Sequence, residues 1–459
     1  FGPDNRWGYF PSGSLAWRIG EESFMAGLNT NLKLRVGYGE TGNQAIPNYL
    51  YGSSILTVNS PFGIAYRQEK ISNPKLKWEA TRQFNLGLDF SAVKGRIDIA
   101  FDWYNKRTSD MLLQINVPRY LGGSDWLDIQ GPYANVGSLE NKGIDLAVTT
   151  RNIARKNFRW NSNLAFSMNR NKVLELDKED AFFLRRLYWY SEFQSATRTE
   201  VGQPVGQFYG YVTEGIFTSE ADIKNHALQV PTPAADGKNP VDKRTGIWIG
   251  DIKFKDLNGD GVIDTDDQTF IGNPNPDFTY GFNNDFSYKN IDLTVFITGS
   301  QGAEILNYSR VLTEGMTSVY SNQAASVYNR AQYRLLDPNG SDTDPANVVL
   351  ANPGTDIPRP TTTDNNRNNR MSDRFIEDGS YLRIQNVRLG YTLPAPLTKR
   401  LSMAKLRLYV NAQNLYTFTD YSGLDPEIGA FNQDPLLQNV DMGRYPSPRV
   451  WTFGIDVDF

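Results

Sequence analysis

A run of acidic and amide residues between positions 256 and 267 has the spacing of a calcium-binding loop. In these twelve residues the first, third and fifth positions are Asp, Asn and Asp, and the sixth is Gly. Calcium loops take oxygen ligands from such positions, from a main-chain carbonyl at position seven, and from positions nine and twelve. The pattern predicts a structural calcium ion held by Asp256, Asn258, Asp260, Val262, Asp264 and Asp267.

The same run also fits a simpler interpretation. Position twelve of helix-flanked calcium loops is usually Glu, whereas here it is the shorter Asp267, and no amphipathic helix precedes the run. The alternative is therefore a solvated acidic turn that joins two hairpins. In both interpretations the loop has a structural role and takes no part in catalysis.

The composition leaves little material for an enzyme active site or a nucleic-acid interface. The chain has 459 residues, no Cys and a single His, His226. These counts exclude disulfides, Cys nucleophiles and metal sites built from several His residues. Carboxylate pairs such as Asp110 and Glu140 have no catalytic signature around them. The formal net charge of -4 provides no basic field for nucleic acid, so we expect neither an enzyme nor a nucleic-acid-binding protein.

The elements that must position these residues are predicted to be β-strands. Leu32, Leu34 and Val36, for example, alternate with Lys33 and Arg35, and the same period of two recurs along the chain. Such alternation is typical of a strand with two different faces. It predicts about eleven strands, which begin with a weaker one at 7–18 and end with 451–459.

Several features together favour a membrane barrel. Aromatic residues make up 13% of the chain, yet its mean hydropathy is only -0.49, as expected when alternate residues face lipid and a wet lumen. No run of 18 apolar residues could form a membrane helix. Connections of a few residues alternate with long ones at 113–136, 174–277 and 306–378, which are predicted to be extracellular loops. The polar inward positions include Arg35, Asp98, Asp102, Asp145 and Asp292.

The predicted fold class is therefore all-β, an antiparallel transmembrane β-barrel. A soluble β-sandwich or propeller is the alternative, but it rarely needs connections of this length or places charges at successive inward positions. The final alternating strand ends in Phe459 and resembles the terminal strand that the outer-membrane assembly machinery of bacteria recognises.

Seven segments resemble the barrel of SusC-like (RagA-like) TonB-dependent outer-membrane transporters of the Bacteroidota. They occur in the family's order and span nearly the whole chain. The segments are 31–43 (NLKLRVGYGETGN), 74–89 (PKLKWEATRQFNLGLD), 135–145 (NVGSLENKGID), 202–211 (GQPVGQFYGY), 250–261 (GDIKFKDLNGDG), 375–386 (FIEDGSYLRIQN) and 411–416 (NAQNLY).

The resemblance implies a barrel of about 22 strands that is plugged on the inside. It also implies a SusD-like lipoprotein outside, the TonB–ExbB–ExbD system in the periplasm, and outer-membrane lipid around the barrel. About eleven strands cannot close such a barrel, because open edges in lipid leave main-chain groups unpaired. We therefore expect residues 1–459 to be the carboxyl-terminal part of the barrel, with the plug domain outside this chain.

The function implied by the resemblance is import of oligosaccharides or oligopeptides across the outer membrane, without covalent change to the substrate. A passive porin or an adhesin-like barrel, without plug or lid, is the main alternative. A surface-attached β-enzyme is a further alternative, but it would need an acid–base constellation that the chain does not show. The polar segment 364–370 is predicted to be a loop without a particular role.

Overall fold

The structure is a computed structural model, and the residues that it describes are 2–27, 30–43, 48–114, 132–178, 181–189, 192–315, 322–400 and 402–459. Within these residues, no helix has both the length and the apolar composition needed to cross a bilayer. The helices are short: α1 (Glu220–Asn225), α2 (Tyr308–Glu314) and α3 (Ala395–Arg400). Single 3-10 turns occupy Pro3–Asn5, Ile19–Glu21, Ser23–Met25, Thr265–Asp267, Ala325–Asn329, Pro345–Asn347, Asp373–Phe375 and Phe431–Gln433.

The described residues are mainly β-strands. In chain order the strands are β1 (Ser12–Trp17), β2 (Thr30–Asn43), β3 (Ser54–Ser60), β4 (Gly63–Lys70), β5 (Glu79–Ala92), β6 (Ile97–Ser109), β7 (Leu112–Gln114), β8 (Tyr133–Asn135), β9 (Ser138–Ala154), β10 (Phe158–Glu175), β11 (Phe182–Trp189), β12 (Glu192–Glu200), β13 (Gln207–Gly210), β14 (Thr213–Ile216), β15 (Ile252–Phe254), β16 (Thr269–Gly272), β17 (Phe278–Tyr288), β18 (Ile291–Gln301), β19 (Glu304–Leu306), β20 (Tyr333–Leu335), β21 (Val348–Leu350), β22 (Ile376–Asp378), β23 (Tyr381–Thr392), β24 (Lys405–Thr419) and β25 (Val450–Asp458).

Eleven of these strands form one antiparallel sheet in the order β1-β2-β5-β6-β9-β10-β17-β18-β23-β24-β25. Each strand therefore pairs with the next long strand along the chain, which is the meander of an up-and-down barrel wall. The all-β, antiparallel prediction is confirmed. The first strand is shorter than predicted, since it covers Ser12–Trp17 and not 7–18.

The main sheet has two contrasting faces. Its apolar face carries the large side chains that the period-two pattern selected, and many of them are open to the surroundings, such as Phe453 (78% exposed) and Ile455 (66% exposed). Its polar face carries the residues between them, among them Arg35, Asp89 and Asp102. A sheet that exposes aromatic and aliphatic side chains on one whole face is suited to contact with lipid.

The connections between the strands of the main sheet lie at two rims. The short-turn rim carries the connections 18–29, 93–96, 155–157, 289–290 and 393–404. The long-connection rim carries 44–78, 110–137, 176–277, 302–380 and 420–449. Two of these long connections, 44–78 and 420–449, were not predicted from the sequence. Much of the predicted loop 113–136, from 115 to 131, lies outside the described residues.

The long connections pack into an assembly with its own core, here called the loop assembly (176–277, 302–380 and 420–449). Its larger sheet has the order β11-β12-β13-β16, and three two-stranded sheets accompany it, namely β14-β15, β19-β22 and β20-β21. One cluster of buried side chains includes Phe217, Trp248 and Phe254, and a second brings together Phe208, Tyr308 and Phe375. Burial of this apolar surface stabilises the packing of the long connections against one another.

Candidate functional site

The polar face of the main sheet is organised around charges that neutralise one another. Arg35 on β2 donates to both oxygens of Asp89 on β5, at 3.0 and 2.9 Å. The same guanidinium lies 2.9 Å from Asp102 on β6. One Arg thus holds two carboxylates from two further strands in a forked geometry, which fixes their positions on the wall.

A second triad of the same kind lies at the other end of the sheet. Arg407 on β24 donates to Asp292 on β18, at 3.1 and 2.6 Å, and to Asp456 on β25, at 3.0 Å. Arg35, Asp102 and Asp292 were predicted to face inward, but their pairing across the sheet and the role of Arg407 were not predicted.

Glycine on the intervening strand makes both triads possible. Gly87 stands between Arg35 and Asp102 in the register. Gly390 stands opposite Asp292, and the Arg407 side chain reaches over it diagonally from a position opposite Thr392. A Cβ at Gly87 would lie 2.6 Å from the Arg35 guanidinium carbon, and one at Gly390 would lie 2.4 Å from an Arg407 nitrogen. Each charged pair therefore crosses its intervening strand at a glycine, where that strand has no side chain.

Between the two triads, the polar face of the main sheet carries small side chains. Four small residues stand opposite one another on β6, β9, β10 and β17, in the order Ala100, Ala147, Ala165 and Gly281. The predicted inward residue Asp145 borders this row and accepts a hydrogen bond of 2.6 Å from the Ser167 hydroxyl. Asp98, also predicted to face inward, lies on β6 opposite Thr149. Because charged groups and small side chains cannot form an apolar core, this face of the main sheet is suited to contact with water.

The loop assembly is held by a buried ion pair. Arg359 donates to both oxygens of Asp251, at 2.8 and 3.1 Å, and both side chains are almost completely buried. Burial raises the pKa of Asp251, while Arg359 and the Trp248 main-chain N–H, which donates at 2.8 Å, counteract this effect. A buried carboxylate is tolerated only when such partners surround it.

Segment 364–370 surrounds this buried ion pair with polar side chains, although its sequence predicted only a loop. Asn368 accepts from the Ile252 main-chain N–H at 2.7 Å and donates to Asp251 at 3.1 Å. Asn366 accepts from the Gln229 side chain at 2.7 Å. Asn366 and Asn368 are almost fully buried. Their side-chain amides therefore supply hydrogen bonds to buried polar groups that water cannot reach.

A second buried pair joins α2 to the 3-10 turn Asp373–Phe375, which precedes β22. Arg374 donates to Glu314 at 2.8 Å, and both side chains are 2% exposed. Burial lowers the pKa of Arg374 to about 10, against the attraction of Glu314. Arg310 also donates to Glu314 at 2.8 Å and to Glu377 at 3.1 Å. These charges anchor α2 within the loop assembly.

A cavity of about 880 Å³ opens in the loop assembly, among the described residues. Arg370 is fixed at its wall, because it donates to the Gln229 carbonyl at 2.6 Å and lies over the ring of Phe254 at 4.8 Å. Burial raises the pKa of Tyr211, so its hydroxyl stays protonated at neutral pH. The volume is within the range of small-molecule and cofactor sites. Its other polar lining includes Gln194, Ser195, Gln268 and Thr363.

The predicted calcium loop forms one wall of this cavity through Val262 and Asp264. Its first, third and fifth positions turn their side-chain oxygens onto main-chain N–H groups of the loop itself. Asp256 accepts from Gly259 (2.7 Å) and Gly261 (2.9 Å), Asn258 accepts from Asp260 (2.9 Å), and Asp260 accepts from Val262 (2.8 Å).

The last predicted ligands close the loop. Asp267 is buried and accepts from the main-chain N–H groups of Leu257 at 2.8 Å and Asp264 at 2.9 Å. Asp264 in turn accepts from the Asp266 N–H at 2.8 Å. The structure thus brings all six predicted residues into one compact loop. Among the residues it describes, however, no three Asp, Glu or His side chains converge as metal ligands would.

Comparison with known proteins assigns this architecture. Residues 1–415 match the family model "TonB dependent receptor-like, beta-barrel". The chain is 34% identical to "TonB-dependent receptor P3" of Formosa agariphila, over 100% of the chain and 42% of that relative. It is 28% identical to "TonB-dependent receptor SusC" of Bacteroides thetaiotaomicron, over 100% of the chain and 41% of that relative. The chain therefore spans about two fifths of the length of these relatives.

Solved structures have the same fold. The structure titled "Structure of the RagAB peptide importer in the 'closed-closed' state" matches with a TM-score of 0.74 and 25% identity, over 100% of this chain and 44% of that one. The predicted resemblance to SusC-like and RagA-like barrels is thereby confirmed. The chain belongs to the TonB-dependent receptor-like β-barrel family, as a SusC-like member, and this family places it in the bacterial outer membrane.

Proposed function

We propose that this chain acts in the TonB-dependent import of oligosaccharides or oligopeptides across the outer membrane. The observation that carries the proposal is the polar face of the main sheet, whose charges are paired across strands at Arg35 and Arg407. Paired charges and small side chains line a wet passage without binding a solute tightly. Membership of the TonB-dependent receptor-like family supplies the type of transport.

The proposed partners follow from the same family. A plug domain fills the passage at rest, TonB–ExbB–ExbD supplies the force that moves it, and a SusD-like lipoprotein covers the loop assembly. The chain matches both the "closed-closed" and the "open-open" structures of a RagAB peptide importer, each with a TM-score of 0.74. Closed and open states of a related importer support a transporter that opens and closes during transport.

The loop assembly is the proposed vestibule for substrate. Amide, hydroxyl and guanidinium groups surround its cavity, and they pair with the hydroxyls of sugars as readily as with peptide groups. The likeness to the RagAB peptide importer favours peptides, whereas the name of the relative SusC specifies no substrate. We therefore propose both oligomer classes. The substrate leaves chemically unchanged, so the chain is proposed to act as a transporter and not as an enzyme.

The test is uptake by the bacterium that encodes this chain. Cells with and without the intact gene take up labelled oligosaccharide and oligopeptide mixtures, and the measurement is repeated with TonB deleted. The proposal predicts that one of the two mixtures enters only when both the gene and TonB are present. Uptake that needs the gene but persists without TonB would identify a passive porin. Equal surface binding without uptake would favour an adhesin-like barrel.

We also propose that the loop from Asp256 to Asp267 binds one structural calcium ion. Three of its carboxylates, those of Asp256, Asp260 and Asp264, lie in a loop that is already closed by its own hydrogen bonds. Carboxylate oxygens have more acceptor positions than these hydrogen bonds occupy. An ion would relieve the mutual repulsion of the carboxylates and stiffen one wall of the cavity.

A further inference from the structure

The short-turn rim has an unusual charge distribution for a chain with a net charge of -4. Four of its turns, 93–96, 155–157, 289–290 and 393–404, contain basic residues and no Asp or Glu. The seven basic residues are Lys94, Arg96, Arg155, Lys156, Lys289, Lys399 and Arg400. The rest of the chain, taken together, therefore carries an acidic excess that offsets these four turns.

These cations are open to the surroundings, and among the described residues none of them forms an ion pair. Arg96 donates to the main-chain carbonyls of Arg151 at 3.1 Å and Asn152 at 2.6 Å, and the Lys289 ammonium lies 5.4 Å from the centre of the Tyr288 ring. The fifth connection at this rim, 18–29, differs because Arg18 is neutralised by Glu21 at 2.9 Å. The unpaired positive charge is thus confined to four consecutive hairpins.

Apolar side chains accompany the cations in the same turns. Val93 is 53% exposed next to Lys94, and Leu397 is 48% exposed two residues before Lys399. Tyr288 and Ile291, which flank Lys289, are also exposed on the apolar face. The positive charges therefore begin where the lipid-facing band ends, at the level of the lipid headgroups.

We propose that the short-turn rim binds the headgroups of anionic phospholipids in the adjoining membrane leaflet. Neighbouring strands lie about 4.8 Å apart, so successive hairpins present a cationic turn about every 10 Å along the membrane edge. These turns form an extended belt along the membrane edge, flanked by exposed apolar side chains, and this shape fits a lipid leaflet. A folded acidic protein would instead require a compact basic patch.

The number of Lys and Arg residues at the short-turn rim determines how strongly it should prefer anionic lipid. A Lys or Arg near an anionic membrane surface favours an anionic lipid over a zwitterionic one by about fivefold. Salt weakens this preference, because the rim is open to solvent. The proposal does not depend on the identity of the transported substrate.

The experiment uses the complete transporter in nanodiscs of phosphatidylcholine that carry spin-labelled phosphatidylglycerol or spin-labelled phosphatidylcholine. The measured quantity is the ratio of the two lipids in the immobilised shell around the protein. The test variant replaces one lysine in each turn, K94Q/K156Q/K289Q/K399Q. The matched control removes four exposed lysines from the long-connection rim, K75Q/K178Q/K238Q/K255Q.

The proposal predicts a preference for phosphatidylglycerol in the wild type and in the control variant, and a decrease of about fivefold or more in the test variant. Replacing chloride by inorganic phosphate at equal ionic strength leaves the preference unchanged, because the site is specific to lipid. A test variant that keeps the wild-type preference overturns the proposal, as does an equal loss in both variants. If the fourfold variant does not assemble, the K94Q and K289Q single variants are compared with K255Q in the same way.

Discussion

Arg35 reaches across an entire strand to bind Asp102, with 2.9 Å between the guanidinium and the carboxylate. The strand between them, β5, presents Gly87 at the crossing point. Asp292 and Arg407 are also joined across a strand, where Arg407 reaches diagonally over Gly390 on β23 from a position opposite Thr392. Glycine in these strands therefore makes room for ion pairs that link three strands at a time, on the face that we assign to the passage.

The first prediction concerns the space above Gly87. We expect Gly87→Ala to lower the free energy of unfolding by about 1–3 kcal/mol, because the new methyl group would displace the Arg35 guanidinium from Asp102. Gly37→Ala is the matched control on β2, where the nearest atom to a new Cβ is 4.0 Å away. Thermal unfolding of the assembled transporter, followed by circular dichroism, measures both variants. Equal effects at the two sites would show that the cross-strand pair does not depend on this gap.

The second prediction concerns the buried pair in the loop assembly. We expect Arg359→Met to destabilise the loop assembly by about 3–5 kcal/mol, because the carboxylate of Asp251 remains buried without its partner. The double variant D251N/R359M should recover a large part of that loss. Hydrogen exchange of the loop-assembly amides gives the local stability, and Arg244→Met, at an exposed position elsewhere in the loop assembly, is the control. Unchanged exchange in Arg359→Met would refute this role.

The third prediction is a dependence on pH at Asp425. Burial acts to raise the pKa of this group, but the N–H groups of Ser447 and Glu427 and the Arg383 side chain outweigh it, so its pKa lies below the usual value. A carboxyl whose folded pKa is lowered contributes stability above its unfolded pKa of about 3.9 and loses it as the pH falls through the folded value.

We therefore expect the connection 420–449 to keep constant protection between pH 7 and pH 5 and to lose it progressively below about pH 4. Hydrogen-exchange protection at Ser447, corrected for intrinsic rates, is the measurement. Asp425→Asn should lower the protection already at neutral pH, whereas Asp420→Asn, at an exposed site, should not. An acid transition that persists in Asp425→Asn would assign the effect to another group.

The fourth prediction tests calcium binding by the loop from Asp256 to Asp267. Calcium should slow exchange of the loop amides, with a stabilisation of about 2.7 kcal/mol when free calcium is about 100 times Kd. The variant D256N/D260N should abolish the response. Asp266→Asn, which removes a charge at a position without a predicted ligand role, should keep it. A response that disappears equally in both variants would indicate general charge screening, and no response in the wild type would contradict the site.

The strands of the main sheet could be predicted because the alternation of apolar and polar residues is visible within each short segment. In the segment 451–459 each apolar residue is separated from the next by one polar residue, so the two faces can be assigned without knowledge of any partner strand. The same reasoning placed Asp102 and Asp292 on the polar face. It could not find Arg35 and Arg407 as their partners, because strand register depends on pairing between distant segments.

The interior of the loop assembly could not be predicted for the same reason. Gln229 and Asn366 are 137 residues apart in the chain, yet their side chains are joined by a hydrogen bond of 2.7 Å. A segment such as 364–370, rich in Asn and Arg, has the composition of an exposed loop. Its burial follows from Asp251, Ile252 and Gln229, which need partners that only the folded connections bring close.

The central claim is that one face of the main sheet contacts lipid and the other contacts water in the passage. This chain has no Cys, so single cysteines for spin labels can be introduced at 164, 165, 166 and 167 on β10 without background from its own residues. The measurement is collision of each label with oxygen, which concentrates in lipid, and with a water-soluble nickel chelate. We predict high oxygen collision at Leu164 and Phe166 and high chelate collision at Ala165 and Ser167. The same collision profile at all four positions would contradict the account.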